Sequence, residues 1–284
     1  MNMIQGALLG LIQGLAEFLP ISSSGHLNLL QALFHWDLDH QLLFNILLHV
    51  GSLVAVMLVF WKDWLQMLLH PIKNKTLLLL VIASLPALAA KILLGDTLDY
   101  LETHNDLLGV SFLFTGLLLM LTQWISTRTA RRQTQQENVT PIHALAMGCM
   151  QAIGMLPGVS RSGSTIFGGV ATRLTRESAA KFSFMMSMPA IVASFLSEGY
   201  SAVKEGALSQ VGDWPTILVG MLVAGVSGYL AIRFMMKIIT RISLNWFALY
   251  VAVLGIIVIV LQATGIIDGS PETVARIASA IPLG

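Results

Sequence analysis

Residues 20–26 of this chain read PISSSGH, and residues 157–165 read PGVSRSGST. The first segment interrupts an apolar stretch over residues 3–35, and the second interrupts one over residues 142–172. Proline ends a helix, and non-helical backbone at membrane depth is tolerated only where it is buried in protein or lines a wet cavity. We therefore predict that each stretch folds as two short helices joined by a polar turn, in a re-entrant hairpin.

The composition around these two breaks is that of an integral membrane protein. Of the 284 residues, 55 % are hydrophobic and 11 % are charged, whereas about 25 % are charged in an average soluble domain. This composition excludes a soluble enzyme and a disordered chain, and the net charge of +1 excludes a nucleic-acid binder that works through a basic face. Cys149 is the only cysteine in the sequence, which excludes an intramolecular disulfide and a cysteine-rich metal site.

Six further apolar runs are long enough to cross a bilayer, for which about 17–25 residues are needed. They cover residues 43–61, 77–94, 107–125, 182–197, 214–234 and 246–264. The sequence therefore predicts an all-α polytopic membrane protein with six transmembrane helices plus two re-entrant helix hairpins, in a single membrane domain over residues 1–284.

The basic residues are concentrated on one side of this arrangement. If the six runs cross and the hairpins return, 12 of the 16 lysines and arginines lie at residues 62–76, 126–141, 173–181 and 233–244. Cytoplasmic loops are enriched in lysine and arginine, so we expect these segments to be cytoplasmic. The first hairpin then enters the membrane from outside, and the second enters it from the cytoplasm.

The two halves of the chain resemble each other when one is shifted by 138 residues. The polar matches include Gln13 with Gln151, Ser22 with Ser160, Ser24 with Ser162, and Gly25 with Gly163. We therefore predict an inverted-topology repeat, in which residues 1–137 (hairpin 3–35 plus three spans) are related to residues 139–275 (hairpin 142–172 plus three spans). Such folds place the binding site near the membrane midplane, where broken helices meet. A chance likeness among apolar residues is the alternative, and the polar matches argue against it.

Glu17 is the only acidic residue predicted at membrane depth, where a carboxylate is costly and is therefore a candidate functional group. Gln13 lies four residues earlier, so the two side chains share one helix face. Carboxylate and amide oxygens suit Mg²⁺ or Ca²⁺, which makes Glu17 and Gln13 candidate metal ligands. The alternative is a carboxyl group that a hydrogen bond neutralises within the hairpin.

Arg161 is the only arginine predicted at membrane depth. Its guanidinium matches the geometry of a phosphate group, and it lies where the second helix of its hairpin is expected to begin, at the positive end of the helix dipole. Together with the neighbouring hydroxyls and amides, Arg161 forms a candidate anion site. The alternative is a structural salt bridge to Glu17.

Three serines and a histidine occupy the turn of the first hairpin. One serine suffices to cap a helix, but residues 22–24 are all serine and are followed by Gly25 and His26. Serine beside histidine can form a nucleophile–base pair, so one of these serines and His26 are candidate catalytic residues, and capping remains the alternative for each single serine. For His49, inside the first span, an interior hydrogen bond and a site contact remain equally open.

The run QGLAEFLPISSSGH at residues 13–26 resembles the first signature of the undecaprenyl-diphosphate phosphatase family, the bacitracin-resistance proteins of bacterial membranes. The run PGVSRSGST resembles the second signature, and the likeness extends over nearly the whole chain. This chain has Gln13 where many members have a second glutamate. The resemblance implies hydrolysis of undecaprenyl diphosphate to undecaprenyl phosphate and inorganic phosphate, which recycles the lipid carrier for cell-wall precursors. It also implies dependence on Mg²⁺ or Ca²⁺, and a bacterial inner-membrane location with the active site open to the periplasm.

Within that resemblance, our hypothesis gives each candidate residue a role. Glu17, helped by Gln13, holds the divalent cation against the diphosphate, and Arg161 binds phosphoryl oxygens, as phosphoryl transfer requires. Ser23 or His26 is the nucleophile, and we favour Ser23 with His26 as its proton-transfer partner. The candidate substrate-binding residues are Ser22, Ser24, Gly25, Ser160, Ser162, Gly163, Ser164 and Thr165.

The expected partners are a polyprenyl diphosphate lipid and the membrane lipids, with no nucleic acid, and a homodimer is left open. The rival class is a transporter, a flippase of polyprenyl phosphate, because inverted repeats with broken helices are typical of transporters. A carrier of that kind would still need Arg161. It would not need a serine–histidine pair beside a metal-binding carboxylate.

Overall fold

A computed structural model describes residues 2–36, 41–70, 74–204 and 214–267 of the chain. Within these ranges the chain forms eleven helices: α1 (Met3–Phe18), α2 (Ser23–Leu33), α3 (Gln41–Val59), α4 (Trp61–Leu69), α5 (Thr76–His104), α6 (Leu108–Arg131), α7 (Pro141–Ile153), α8 (Arg161–Ala171), α9 (Arg176–Lys204), α10 (Trp214–Ile238) and α11 (Asn245–Ala263). In the described part of the chain, strand pairing is limited to an isolated bridge between Gln136 and Leu174.

Five described helices are long and apolar enough to cross a membrane, namely α5, α6, α9, α10 and α11. A sixth candidate is the pair α3 and α4, which pass the same test together but are bent by 75° at their junction. These helices confirm the predicted all-α polytopic membrane protein. The count of six crossings stays a prediction, because the bent pair can be one span or a broken one.

Four shorter helices form the two predicted hairpin stretches. Helices α1 and α2 have 16 and 11 residues, and α7 and α8 have 13 and 11 residues, which is less than the roughly 17–25 that a crossing requires. The breaks fall where the polar segments were expected. Re-entry and the inverted repeat stay predictions, and residues 268–275 of the second repeat lie outside the described residues.

Helix α1 packs closely against α10, and small residues allow this contact. A Cβ atom added to Gly10 would lie 2.2 Å from the carbonyl oxygen of Gly220, and one added to Gly14 would lie 2.1 Å from the Ser227 hydroxyl. Glycines at such crossings let two backbones approach each other within a membrane. The contact fixes α1 against the second half of the chain and so holds its last turn, which carries Glu17.

We expect Gly10→Ala to destabilise the protein by about 1–3 kcal/mol, because the new methyl group has no space beside a backbone carbonyl and the two helices must separate. Gly199→Ala is the matched control, since no described atom lies within 4 Å of the added Cβ. The measurement is the free energy of unfolding in detergent. Equal stabilities of the two variants would contradict the close packing of α1 on α10.

Candidate active site

The polar turns of the two hairpins lie against each other. A Cβ atom added to Gly25 would lie 3.0 Å from the Cα atom of Gly158, and the Ser162 hydroxyl donates a hydrogen bond of 3.2 Å to the carbonyl oxygen of Leu19. Only glycine at position 25 lets the two turns approach this closely. The two breaks therefore form one continuous polar region built from both halves of the chain.

Each turn is closed by a serine that caps the following helix. Ser22 has a positive φ of 73° and its hydroxyl accepts a hydrogen bond of 3.2 Å from the amide of Gly25. Ser160 accepts in the same way from the amide of Gly163, at 3.0 Å. Capping is thus the role the structure gives these two hydroxyls. The helix N-termini that follow them, of α2 and α8, supply amide donors and positive dipole ends to the shared polar region.

Glu17 is buried in the last turn of α1 and joins the two hairpins. Its Oε2 atom accepts hydrogen bonds from the Ser23 hydroxyl at 2.6 Å and from Nε2 of Gln13 at 3.1 Å. Its Oε1 atom accepts from Nη2 of Arg161. The structure therefore brings three other sequence-predicted site residues, Gln13, Ser23 and Arg161, to the carboxylate of Glu17.

Arg161 forms the salt bridge to Glu17 that the sequence left as an alternative to an anion site. The salt bridge uses only one of the two terminal nitrogens of Arg161, Nη2. The other, Nη1, is buried and has no hydrogen-bond partner among the described residues. Buried donors without partners are rare in native proteins, so the guanidinium is suited to bind an anion while it remains paired with Glu17.

His49 reaches the same carboxylate from α3. Its Nε2 atom lies 3.4 Å from Oε2 of Glu17, and its Nδ1 atom lies 2.8 Å from the carbonyl oxygen of Asn45. Because a carbonyl oxygen only accepts, Nδ1 carries a hydrogen. Both alternatives considered for His49 are therefore realised together, since it makes an interior hydrogen bond and also contacts the site.

His26 does not bond to Ser23 in this structure. Its Nδ1 atom donates to the carbonyl oxygen of Ser22 at 2.6 Å, and its Nε2 atom lies 2.7 Å from the hydroxyl of Tyr250. The hydroxyl of Ser23 is directed to Glu17 instead. The carboxylate, rather than the imidazole, is thus the group placed to receive a proton from Ser23.

The remaining substrate-binding candidates are buried in the second hairpin, except Ser24, which lies in the first. The Thr165 hydroxyl donates to the carbonyl oxygen of Arg161 at 2.9 Å and also meets the Ser183 hydroxyl at 2.5 Å. The Ser164 hydroxyl is buried without a partner among the described residues. Gly163 lies at the first turn of α8, and Ser24 is half-buried in the first turn of α2. Their roles in substrate binding stay predictions.

The residues around Glu17 fit a divalent cation that is held partly by a substrate. The described residues contain no group of three or more His, Cys, Asp or Glu side chains that could hold a metal ion alone. However, the Oε1 atom of Gln13 is buried and lacks a partner in the described structure, next to the Glu17 carboxylate. Mg²⁺ is commonly bound by one or two carboxylates together with substrate phosphates and water. These two oxygen donors match such a site.

Sequence reasoning did not include two residues that the structure places at the site. Thr115 of α6 accepts a hydrogen bond of 3.0 Å from the amide of Ser160, and Tyr250 of α11 contacts His26. Neither residue stands out in its apolar run, because threonine and tyrosine are common in transmembrane helices. Their contacts depend on how α6 and α11 pack, which local sequence does not specify.

Comparisons with known proteins place this chain in a family. The sequence model described as bacitracin resistance protein BacA matches residues 6–257. An undecaprenyl-diphosphatase of Carboxydothermus hydrogenoformans is 38 % identical over 265 residues, covering 93 % of this chain and 99 % of the relative. One of Treponema denticola is 39 % identical over 268 residues, covering 90 % and 96 % of the two chains. One of Thermodesulfovibrio yellowstonii is 33 % identical over 261 residues, covering 92 % and 97 %. The matches span nearly the whole chain, which therefore belongs to the BacA family of bacitracin resistance proteins.

Proposed function

We propose that this protein is a membrane phosphatase that hydrolyses undecaprenyl diphosphate to undecaprenyl phosphate and inorganic phosphate. The observation that carries the proposal is the buried group in which Glu17 accepts a hydrogen bond from Ser23 and pairs with Arg161. This group combines a hydroxyl nucleophile, a proton acceptor and an anion-binding cation. The family membership and the names of the relatives support the same substrate.

The geometry supports a double-displacement reaction with Ser23 as the nucleophile. The Ser23 oxygen attacks the terminal phosphorus, its proton passes to Oε2 of Glu17, which lies 2.6 Å from that oxygen, and the bond from the phosphorus to the bridging oxygen breaks. Undecaprenyl phosphate leaves, taking the proton from Glu17. Water then attacks the phosphoserine and gives a proton to the Glu17 carboxylate. The bond from the Ser23 oxygen to phosphorus breaks, and this oxygen takes the proton back from Glu17, which releases inorganic phosphate and restores Ser23. His26 remains the other candidate nucleophile.

Arg161 stabilises the charge that develops on the phosphoryl oxygens. Its Nη1 atom supplies the donor that lacks a described partner, and Glu17 holds the guanidinium in place through Nη2. Fixed donors of this kind act strongly where water is excluded. The cation expected here would be held by Glu17 and Gln13, and when bound it would neutralise negative charge on the diphosphate.

We propose that the protein lies in the bacterial inner membrane with its active site open to the periplasm. The orientation rests on the lysines and arginines of the predicted cytoplasmic connections. The apolar side chains exposed along the spans offer a lipid-facing surface for the polyprenyl tail, and examples are Leu222, Leu230 and Ile256. The membrane lipids would cover the rest of that surface.

A flippase of polyprenyl phosphate is the less well supported alternative. A carrier would use Arg161 to bind the phosphate, but it would have no use for a hydroxyl hydrogen-bonded to a buried carboxylate. The relatives are named as diphosphatases. Both observations favour hydrolysis over transport.

Phosphate release from undecaprenyl diphosphate by the purified protein in detergent tests the proposal. We expect release with Mg²⁺ or Ca²⁺ and its loss on addition of a chelator, because the described residues of the site offer the cation two oxygen ligands, Glu17 and Gln13, and leave the others to substrate and water. Readdition of the cation should restore the rate. Release that persists unchanged in the chelator would remove the cation from the proposal, and no release under any metal would make lipid-phosphate transport the leading function.

A further inference from the structure

Tyr250 is connected to the candidate active site through His26, although it lies on α11, the last helix described. Its hydroxyl is 2.7 Å from Nε2 of His26, and the two rings stack with centroids 5.7 Å apart and planes inclined by 13°. The ring of Phe112, on α6, meets the imidazole edge-on with centroids 5.4 Å apart. Two aromatic rings from different helices therefore hold the imidazole of the first hairpin.

Both ring nitrogens of His26 are engaged, which fixes the orientation of the ring. The carbonyl oxygen of Ser22 can only accept, so Nδ1 carries the hydrogen. Nε2 then presents its lone pair to the Tyr250 hydroxyl, which donates. Without that hydroxyl, Nε2 would have no hydrogen-bond partner among the described residues.

The exposure of these side chains increases outward from the carboxylate. Glu17 and Ser23 are buried, His26 is half-buried, and Tyr250 is 47 % exposed. His26 follows Ser23 by three residues on α2, so it lies on the same side of the helix one turn further along. Ser23, His26 and Tyr250 therefore lead from the buried carboxylate to the surface of the protein.

We propose that Tyr250 is a positioning residue that holds the His26 imidazole at the entrance to the phosphate site. The inference rests on the proposed phosphatase function, in which the diphosphate reaches Ser23 from the exposed side, next to this imidazole. Holding a polar group in one orientation before the substrate arrives lowers the cost of reaching the transition state. Tyr250 acts through His26 and takes no part in bond making or breaking.

Tyr250→Phe tests this role because it keeps the stacked ring and removes only the hydroxyl. We expect kcat for phosphate release to fall about 3–10-fold with little change in KM, which corresponds to the loss of one hydrogen bond. Tyr250→Leu also removes the stacking and should lower kcat further. Tyr229→Phe is the matched control, since the hydroxyl it removes binds Arg233 on α10 at 2.9 Å, and its kcat should equal that of the wild type.

The rate at which diethyl pyrocarbonate modifies His26, measured by peptide mass spectrometry without substrate, gives a readout independent of activity. The reagent requires a free imidazole lone pair, so Tyr250→Phe should be modified about 3–10-fold faster than the wild type and Tyr229→Phe. Equal modification rates would overturn the proposal, whatever happens to kcat. If the wild type releases no phosphate, the proposed function fails, and the modification rates still decide whether Tyr250 holds His26.

Discussion

Replacing Ser23 with alanine is expected to reduce kcat/KM for phosphate release by about 10³-fold or more, because the variant lacks the attacking oxygen. The hydroxyl is buried and donates a hydrogen bond of 2.6 Å to Glu17, so it is already in contact with the group that would take its proton. Loss of one small hydroxyl leaves the packing of α2 almost unchanged. The melting temperature of the purified variant should therefore stay close to that of the wild type.

The neighbouring serine provides the control for this substitution. Ser24→Ala removes a half-buried hydroxyl from the same turn, and we expect a loss of only about 3–10-fold, as for a single hydrogen bond. Trapping the intermediate separates the two candidate nucleophiles. Wild-type protein denatured at neutral pH after reaction with substrate labelled on the terminal phosphate should carry acid-stable phosphate on Ser23. An active Ser23→Ala variant, or an acid-labile phosphohistidine at His26, would assign the nucleophile to His26.

Much of the fold was predictable because the sequence carries strong local signals. Proline, serine and glycine within apolar stretches mark helix ends wherever the stretches pack, and the structure has α2 and α8 beginning in those segments. Long apolar runs predict crossing helices by length alone. The bend between α3 and α4 was not predicted, since residues 60–61 carry neither proline nor glycine.

The residues of the candidate site were predictable from the sequence, but only some of the contacts among them were. Polar groups are so costly at membrane depth that Glu17 and Arg161 stand out from the sequence alone. The i, i+4 spacing predicted that Gln13 and Glu17 share a helix face, and the structure adds the hydrogen bond between them. The partner of Ser23 was not predicted. A serine and a histidine three residues apart lie on the same side of a helix without being in contact. Which atom each one reaches depends on α1, for Ser23, and on α11, for His26.

Glu17→Gln is expected to reduce kcat/KM by about 10³-fold or more, since the amide cannot take the proton from Ser23 and brings no charge to orient Arg161. The substitution keeps the size of the side chain but leaves the Arg161 guanidinium, which is mostly buried, without a counter-ion, and this costs up to about 3–5 kcal/mol of stability. Both kcat/KM and the melting temperature are therefore measured for each variant.

Two further variants separate lost chemistry from lost stability. Glu17→Asp keeps the charge and should restore the stability, but its shorter side chain cannot contact Ser23 and Arg161 together, so its activity should stay well below that of the wild type. Glu177→Gln makes the same chemical change at an exposed position in the first turn of α9 and should preserve both properties. A stable Glu17→Gln protein with near-normal phosphate release would exclude Glu17 as the proton acceptor. Hydrolysis would then depend on a base outside the buried carboxylate group, and His26 would be the nearest candidate on the first hairpin.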